Sequence, residues 1–193
     1  MNNLMVDLET MGNKPNAPIV AIGAVFFDPA TGELGKKFYT AVNLASDMAS
    51  GAVPSGDTIT WWLTQSSEAR AAITSDQAIP IGEALLNLST YVAANCEQPK
   101  RLTVWGNGAS FDNVILRSAY ERCSLPPCWN WFNDLDVRTI VMLGRQIDFD
   151  PKRDMPFGGD RHNALADAIH QAQYVSAIYQ RLMSAHQHDQ ELL

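Results

Sequence analysis

The chain has 193 residues, 46% of them apolar, and a formal net charge of −7. That length buries a core without disulfides or a structural metal, and the acidic balance argues against a protein that wraps long duplex DNA by electrostatic attraction. No run approaches the roughly 20 apolar residues that span a bilayer, and Met1-Asn2-Asn3-Leu4 lacks the basic start of a signal peptide, so a soluble cytoplasmic protein is expected.

Three strands are expected first, Leu4 to Leu8, Ile19 to Asp28 and Lys36 to Val42, all rich in Val, Ile, Phe and Tyr. Between the last two, Asp28-Pro29-Ala30-Thr31-Gly32-Glu33 has hairpin chemistry, which makes the start of the sheet antiparallel. Residues Leu44 to Asp57, punctuated by Gly51, Pro54 and Gly56, read as a loop. A helix follows to Ser75, capped by Asp57 or Thr58, and a second spans Ile81 to Asn95 on the stripe Ile81, Leu85, Leu88 and Val92. Leu102 to Trp105 is a short buried strand. Ser110 to Cys123 is a third helix with Ser110 as its cap, Asn133 to Val137 a short strand, and Arg138 to Gln146 another helix. After a loop rich in Gly, Pro and charge, a long helix runs from Ala164 to about Ala185. The pattern predicts one α/β domain over 1–185, a mixed central sheet flanked by helices, with a short polar tail at 186–193. Cys96, Cys123 and Cys128 form no Cys-x-x-Cys pair and read as reduced thiols.

The chemistry concentrates in five residues. Asp7 and Glu9 are two apart on a strand and share a face, with Leu4, Val6 and Leu8 on the other. Adjacent carboxylates repel unless cations fill the gap, and hard divalent ions such as Mg²⁺ or Mn²⁺ favour oxygen ligands; a solvated strand face is the plainer reading of Asp-x-Glu alone. Asp112 lies where a buried strand gives way to a helix, a common ligand position in open α/β folds, although a first-turn acid also suits the helix dipole. Asp167 begins the last helix. His162 precedes it by five positions, about 140° around a helix, so a place in the Gly158-Gly159 loop lets the two approach from different sides.

The strings Asp7-Leu8-Glu9-Thr10-Met11-Gly12, Asn107 through Phe111-Asp112, and His162-Asn163-Ala164-Leu165-Ala166-Asp167 occur in the order of the three motifs of the DEDD exonucleases, histidine subclass (DEDDh). From residue 4 to about 180 the chain resembles this ribonuclease H-like superfamily of 3′-to-5′ exonucleases. It is most similar to a small bacterial and phage branch described as exoribonuclease-like, some of whose phage members are labelled exodeoxyribonuclease VIII-like. The resemblance implies that Asp7, Glu9, Asp112 and Asp167 hold two divalent cations, Mg²⁺ or Mn²⁺, and that His162 is the general base. Its implied partner is a nucleic acid with a free 3′ end, a single strand or an overhang, and relatives that pair imply a homodimer.

Thr10, Met11, Gly12, Asn107 and Phe111 sit inside these motifs and are candidates to hold the terminal nucleotide. Trp61 and Trp62 cannot both face the core from one helix, so one packs inside and the other offers a base-stacking platform or a subunit contact. Arg145, Lys152, Arg153 and Arg161 are available to phosphates but diluted by Asp148, Asp150, Asp154 and Asp160, which favours a solvated loop for most of them. His186, His188 and Glu191 belong to the tail and are not expected to bind metal. Competing readings are a ribonuclease H-like endonuclease, a non-catalytic nucleic-acid-binding module of the same fold, and a phosphodiesterase acting on free nucleotides.

Overall fold

The computed structural model describes residues 1–158 and 162–191, with side chains through Ser184. Strands β1 (Asn3–Thr10), β2 (Ile19–Phe27) and β3 (Leu34–Ala41) pair antiparallel, and β4 (Thr103–Gly106) and β5 (Asp134–Asp136) extend the sheet parallel to β1 in the order β3-β2-β1-β4-β5. The hairpin forms as its sequence predicts. Asp28 and Glu33 close it by a main-chain bond, and Gly32 supplies φ +78°.

Helices cover both faces of the sheet. Against one face pack α4 (Ile81–Asn95) and α5 (Asp112–Arg122), through Leu85, Leu88, Ile115, Leu116 and Tyr120 over Leu4, Val6 and Leu8. Against the other pack α6 (Val137–Gln146) and α8 (Ala164–Glu191), through Val137, Ala168, Ala172, Val175 and Ile178 over Met5, Val25 and Phe27. Since β1 alternates, Met5, Asp7 and Glu9 share the α8 side. Burial of Met5 there continues directly into the two acids.

Five local expectations are corrected. Residues 44–57 are not all loop: α1 (Leu44–Ala49) forms because Asn43 caps it through Ser46 N–H, and its Asp47 is fully buried, accepting from Ile19 N–H, Ser50 Oγ and Arg122. The helix expected to Ser75 divides into α2 (Gly56–Leu63) and α3 (Ser67–Ile73). Ser66 starts the second by accepting from Ala69 N–H, while Arg70 Nη1 binds the carbonyls of Leu63 and Gln65 across the break. Ser110 caps nothing: α5 begins at Asp112 with Phe111 at its N-cap, and the turn around Asn107 occupies the preceding residues. The charged loop before α8 also contains a short helix, α7 (Pro151–Asp154), capped by Asp150. Helix α8 continues to Glu191, beyond the expected end near Ala185, while the side chains of His186, His188 and Glu191 lie outside the described residues. Cys96, Cys123 and Cys128 are unpaired, and among the described residues no helix is long and apolar enough to cross a membrane.

One glycine sets the distance between α8 and the sheet. Gly23 pairs with Asp7 across β1 and β2, and a Cβ placed on it would lie 2.2 Å from the carbonyl carbon of Ala164 and 2.3 Å from Leu165 N. Those are backbone atoms at the start of α8, so no side-chain rotation relieves the overlap. The missing side chain allows α8 to settle on the strand, which carries Asp167 over Asp7 and Glu9. Gly23→Ala is expected to destabilise the fold by about 1–3 kcal/mol, as overpacking does, seen as a lower Tm in thermal unfolding. An unchanged Tm would show that the helix start is free to move.

Candidate active site

Asp7, Glu9 and Asp167 each present an oxygen such that all three lie within 4.8 Å of one another. The first two come from the carboxyl end of β1 and the third from the first turn of α8, whose start Asn163 caps by accepting from Ala166 N–H. Glu9 is buried, whereas Asp7 and Asp167 keep a partly open edge. Asp112 is buried behind this group, outside the tight cluster. Its Oδ1 accepts from Leu8 N–H at 3.1 Å and its Oδ2 from Asn107 N–H at 3.1 Å. Beyond Met5 the pairing of β1 with β4 stops, and the Asp112 carboxylate takes over the strand's free N–H between the two acids. Each of its oxygens has a lone pair remaining for a cation.

Gln171, one helical turn after Asp167, holds the cluster from the other side. Its Nε2 donates to Asp7 Oδ1 at 2.8 Å, while its Oε1 is buried with no partner. When Asp7 is ionised it only accepts, which sets the amide orientation seen here. No motif in the sequence marks Gln171; an i+4 step from Asp167 along α8 is the one available signal.

His162 occupies a turn before α8 with φ +66°, as the loop placement requires. Its ring lies 4.9 Å from that of Trp61 and 6.0 Å from that of Trp62, both near edge-on. The tandem tryptophans divide their roles. Trp62 is 3% exposed, packs with Met11, Val20, Ala69 and Ile73, and donates from Nε1 to Thr10 O; Trp61 is 41% exposed beside His162. Met11 and Trp62 therefore support the strand end with buried side chains, and Trp62 is the tryptophan that packs inside. Thr10 and Gly12 are also buried, joined by a bond from Thr10 Oγ1 to Gly12 O. Met11 bonds Pro18 and Ser55 through its main chain. Asn107 is half-buried, donating to Asp112 and accepting from Arg138 Nη2, and Phe111 packs on the core below α5.

Crowding acids in partial burial raises their pKa values. Burial first, then the charges of Asp167 and Asp112, lifts Glu9 to about 8. Asp7 is raised well above the carboxylate range by burial and then by Asp112, Glu9 and Asp167, against the hydrogen bond from Gln171. Asp112 is raised by burial to about 7 despite its two backbone donors, and Asp167 is raised by burial against the nearby His162. Such a group keeps protons near neutrality unless positive charge is supplied. Oxygen donors with converging like charge suit hard divalent cations, and among the described residues no sulfur or imidazole joins the tight cluster.

The profile of the Rv2179c-like family, described as a 3′-5′ exoribonuclease Rv2179c-like domain, matches residues 2–179. The chain belongs to this family. An exodeoxyribonuclease of Enterobacteria phage T4 is 27% identical over 163 residues, covering 73% of this chain and 71% of the relative. E. coli exonuclease I in complex with a dT13 oligonucleotide superposes with a TM-score of 0.64 at 15% identity, over 96% of this chain and 42% of that one. The chain thus spans less than half the length of exonuclease I, which also matches as a zinc-bound complex with single-stranded DNA. The nuclease domain of 3′hExo, a DEDDh family member bound to rAMP, superposes with a TM-score of 0.57 at 14% identity, over 95% of this chain and 92% of that one. At these identities the structural likeness is one of fold, and it bears out the ribonuclease H-like architecture.

Two outcomes are expected of this Rv2179c-like domain. Without metal, the raised acids bind protons in the folded state that the unfolded chain releases above about 4 to 4.5. Their stabilisation is present below that pH and is lost as pH rises through about 7 and 8. Tm in EDTA should therefore fall between pH 5.5 and 8.5, and Mn²⁺ should restore it most at the higher pH; a Tm in EDTA that rises over this range contradicts the shifts. Gln171→Ala should weaken Mn²⁺ binding about tenfold, as loss of a ligand's supporting hydrogen bond does, measured by calorimetry. Equal affinity would show that Asp7 needs no such support.

Proposed function

We propose that the chain is a divalent-cation-dependent 3′-to-5′ exonuclease that hydrolyses the terminal phosphodiester of RNA or DNA and releases a nucleoside 5′-monophosphate. The observation that carries this reading is the convergence of Asp7, Glu9 and Asp167 within 4.8 Å beside a loop histidine, in a chain matched over residues 2–179 by an exoribonuclease family. When bound, two Mg²⁺ or Mn²⁺ ions would lower the pKa of the attacking water and offset charge on the leaving oxygen.

Asp7, Glu9 and Asp167 supply the converging oxygens for those ions, and the remaining lone pairs of Asp112 complete the set. The basic nitrogen of a neutral imidazole suits His162 to take the proton from the attacking water. As the water oxygen bonds to phosphorus, the bond from phosphorus to the 3′ oxygen of the penultimate nucleotide breaks, and that oxygen leaves as a hydroxyl with a proton from solvent. Trp61 stands against His162 and is exposed, so its indole both limits the imidazole and offers a face to the terminal base, worth about 1–3 kcal/mol. A histidine at the chemistry but on a loop favours attack at an end, where the nucleotide is free to be released, over cutting within a strand.

Relatives are named both exoribonuclease and exodeoxyribonuclease, so both sugars belong in the test. With Mg²⁺ or Mn²⁺, an oligonucleotide with a free 3′ hydroxyl should be shortened stepwise, and a 3′-blocked one and a circle should survive. Cutting of the circle would make the protein an endonuclease, and inertness toward all three would leave a binding module. Asp7→Ala and Asp112→Ala should each lower turnover on the order of 100-fold or more. His162→Ala should lose about 100-fold or more in kcat with Mn²⁺ affinity within threefold of wild type; unchanged kcat would remove the general-base role.

A further inference from the structure

A second pair of acids two residues apart lies on β5, outside the cluster. Asp134 and Asp136 share the face of that strand turned toward α5, since Leu135 between them packs with the core under α6 and α8. Where Asp7 and Glu9 meet other carboxylates, these two meet donors. Asp134 accepts from Asn113 Nδ2, Arg117 Nη2 and Trp129 Nε1, which fixes the first turns of α5 next to Asp112.

Asp136 pairs with Gly106, the last residue of β4, and divides its carboxylate between two segments. Its Oδ1 caps α6 by accepting from Thr139 N–H at 2.9 Å and Thr139 Oγ1 at 3.3 Å, while its Oδ2 accepts from Ala109 N–H at 2.7 Å. Capping α6 needs only the first oxygen. The second reaches across to the turn between β4 and α5. That turn's own main-chain bonds run from Phe111 and Asp112 N–H to Gly108 O, which leaves the Ala109 amide and both main-chain groups of Asn107 to side chains. Asn107 N–H goes to Asp112 Oδ2, and Asn107 O accepts from Arg138 Nη2 at 3.1 Å. Gly108 lies between the two grips. A Cβ on it would come 2.7 Å from Asp136 Oδ2 and 3.5 Å from Arg138 Nε, so a side chain there would push the carboxylate off Ala109. The Arg138 guanidinium also acts on Asp112, working with the backbone donors against the burial that raises its pKa.

We propose that Asp136 is a positioning residue for Asp112: by holding Ala109 N–H it sets the turn whose Asn107 N–H aims the Asp112 carboxylate toward the cations. The start of α6 thereby positions the fourth acid, as Gln171 on α8 does Asp7. This inference rests on the reading of Asp112 as a cation ligand and deepens it. Hydrogen bonds that support a ligand in this way change metal affinity or activity about 10- to 100-fold.

The test uses Asp136→Asn, which matches the carboxylate in shape and is itself a preferred helix cap. With its one carbonyl oxygen on Thr139 N–H, its amide is turned against Ala109 N–H, donor to donor. In the metal-free protein, hydrogen exchange at the Asn107 and Ala109 amides, followed by NMR, should become about tenfold faster while the amides of α6 keep their protection. Mn²⁺ affinity by calorimetry should fall about tenfold, and kcat by a similar factor with KM within about threefold of wild type. In an Asp112→Asn background the same substitution should lower Mn²⁺ affinity by less than about threefold more, because its effect passes through that carboxylate. Unchanged exchange at Asn107, faster exchange confined to α6, unchanged Mn²⁺ affinity, or equal losses with Asp112 present and replaced would each reduce Asp136 to the cap of α6 and overturn the proposal. If the wild type binds Mn²⁺ but shortens no oligonucleotide, the exonuclease reading fails, while exchange and calorimetry still judge Asp136.

Discussion

Mutual repulsion among buried carboxylates is the constraint around which this molecule is arranged. Asp7, Glu9 and Asp167 converge within 4.8 Å, with Asp112 behind them, and in a protein interior each such charge raises the cost of the next. The fold opposes that repulsion with parts drawn from several elements. Strand β1 holds Asp7 and Glu9 on one face, and Gly23 lets α8 close over them with Asp167. Asp112 is pinned by two main-chain donors, and Gln171 reaches across to Asp7. A cluster held together against its own charge in this way is preorganised for cations.

Much of this was legible where it depended on local pattern. The alternation of Leu4, Val6 and Leu8 against Asp7 and Glu9 gives both the strand and its chemical face, and the stripe from Ile81 to Val92 gives α4 with its ends. The spacing of His162 from Asp167, with glycines before it, gives a loop histidine ahead of a helical acid. What the sequence hid depends on contacts distant along the chain. Gly23 reads as an ordinary strand residue until Ala164 lies against it. Asp47 reads as a loop acid until Ile19 and Arg122 bind it in the core, and Gln171 reads as a polar position on a helix until Asp7 meets it. Adjacent Trp61 and Trp62 announce that one must turn outward, but only packing against Met11 and Ile73 decides which.

The site has two sides of different character. Toward α2, the exposed Trp61 and the loop imidazole form a compact aromatic corner over a buried strand end. Toward α6 and α7 lies the longer groove lined by Arg138, Arg145 and Lys152.

The most direct test of the central claim is calorimetric titration of Mn²⁺ into the metal-free protein at pH 7, repeated in two buffers of different ionisation enthalpy. Two ions per chain should bind, with an apparent heat that depends on the buffer because the raised acids give up protons as the cations enter. Loss of this binding in Asp7→Asn with the fold intact by circular dichroism would tie it to the cluster. Absence of binding, or binding with no proton release, would contradict a carboxylate cluster organised for divalent cations.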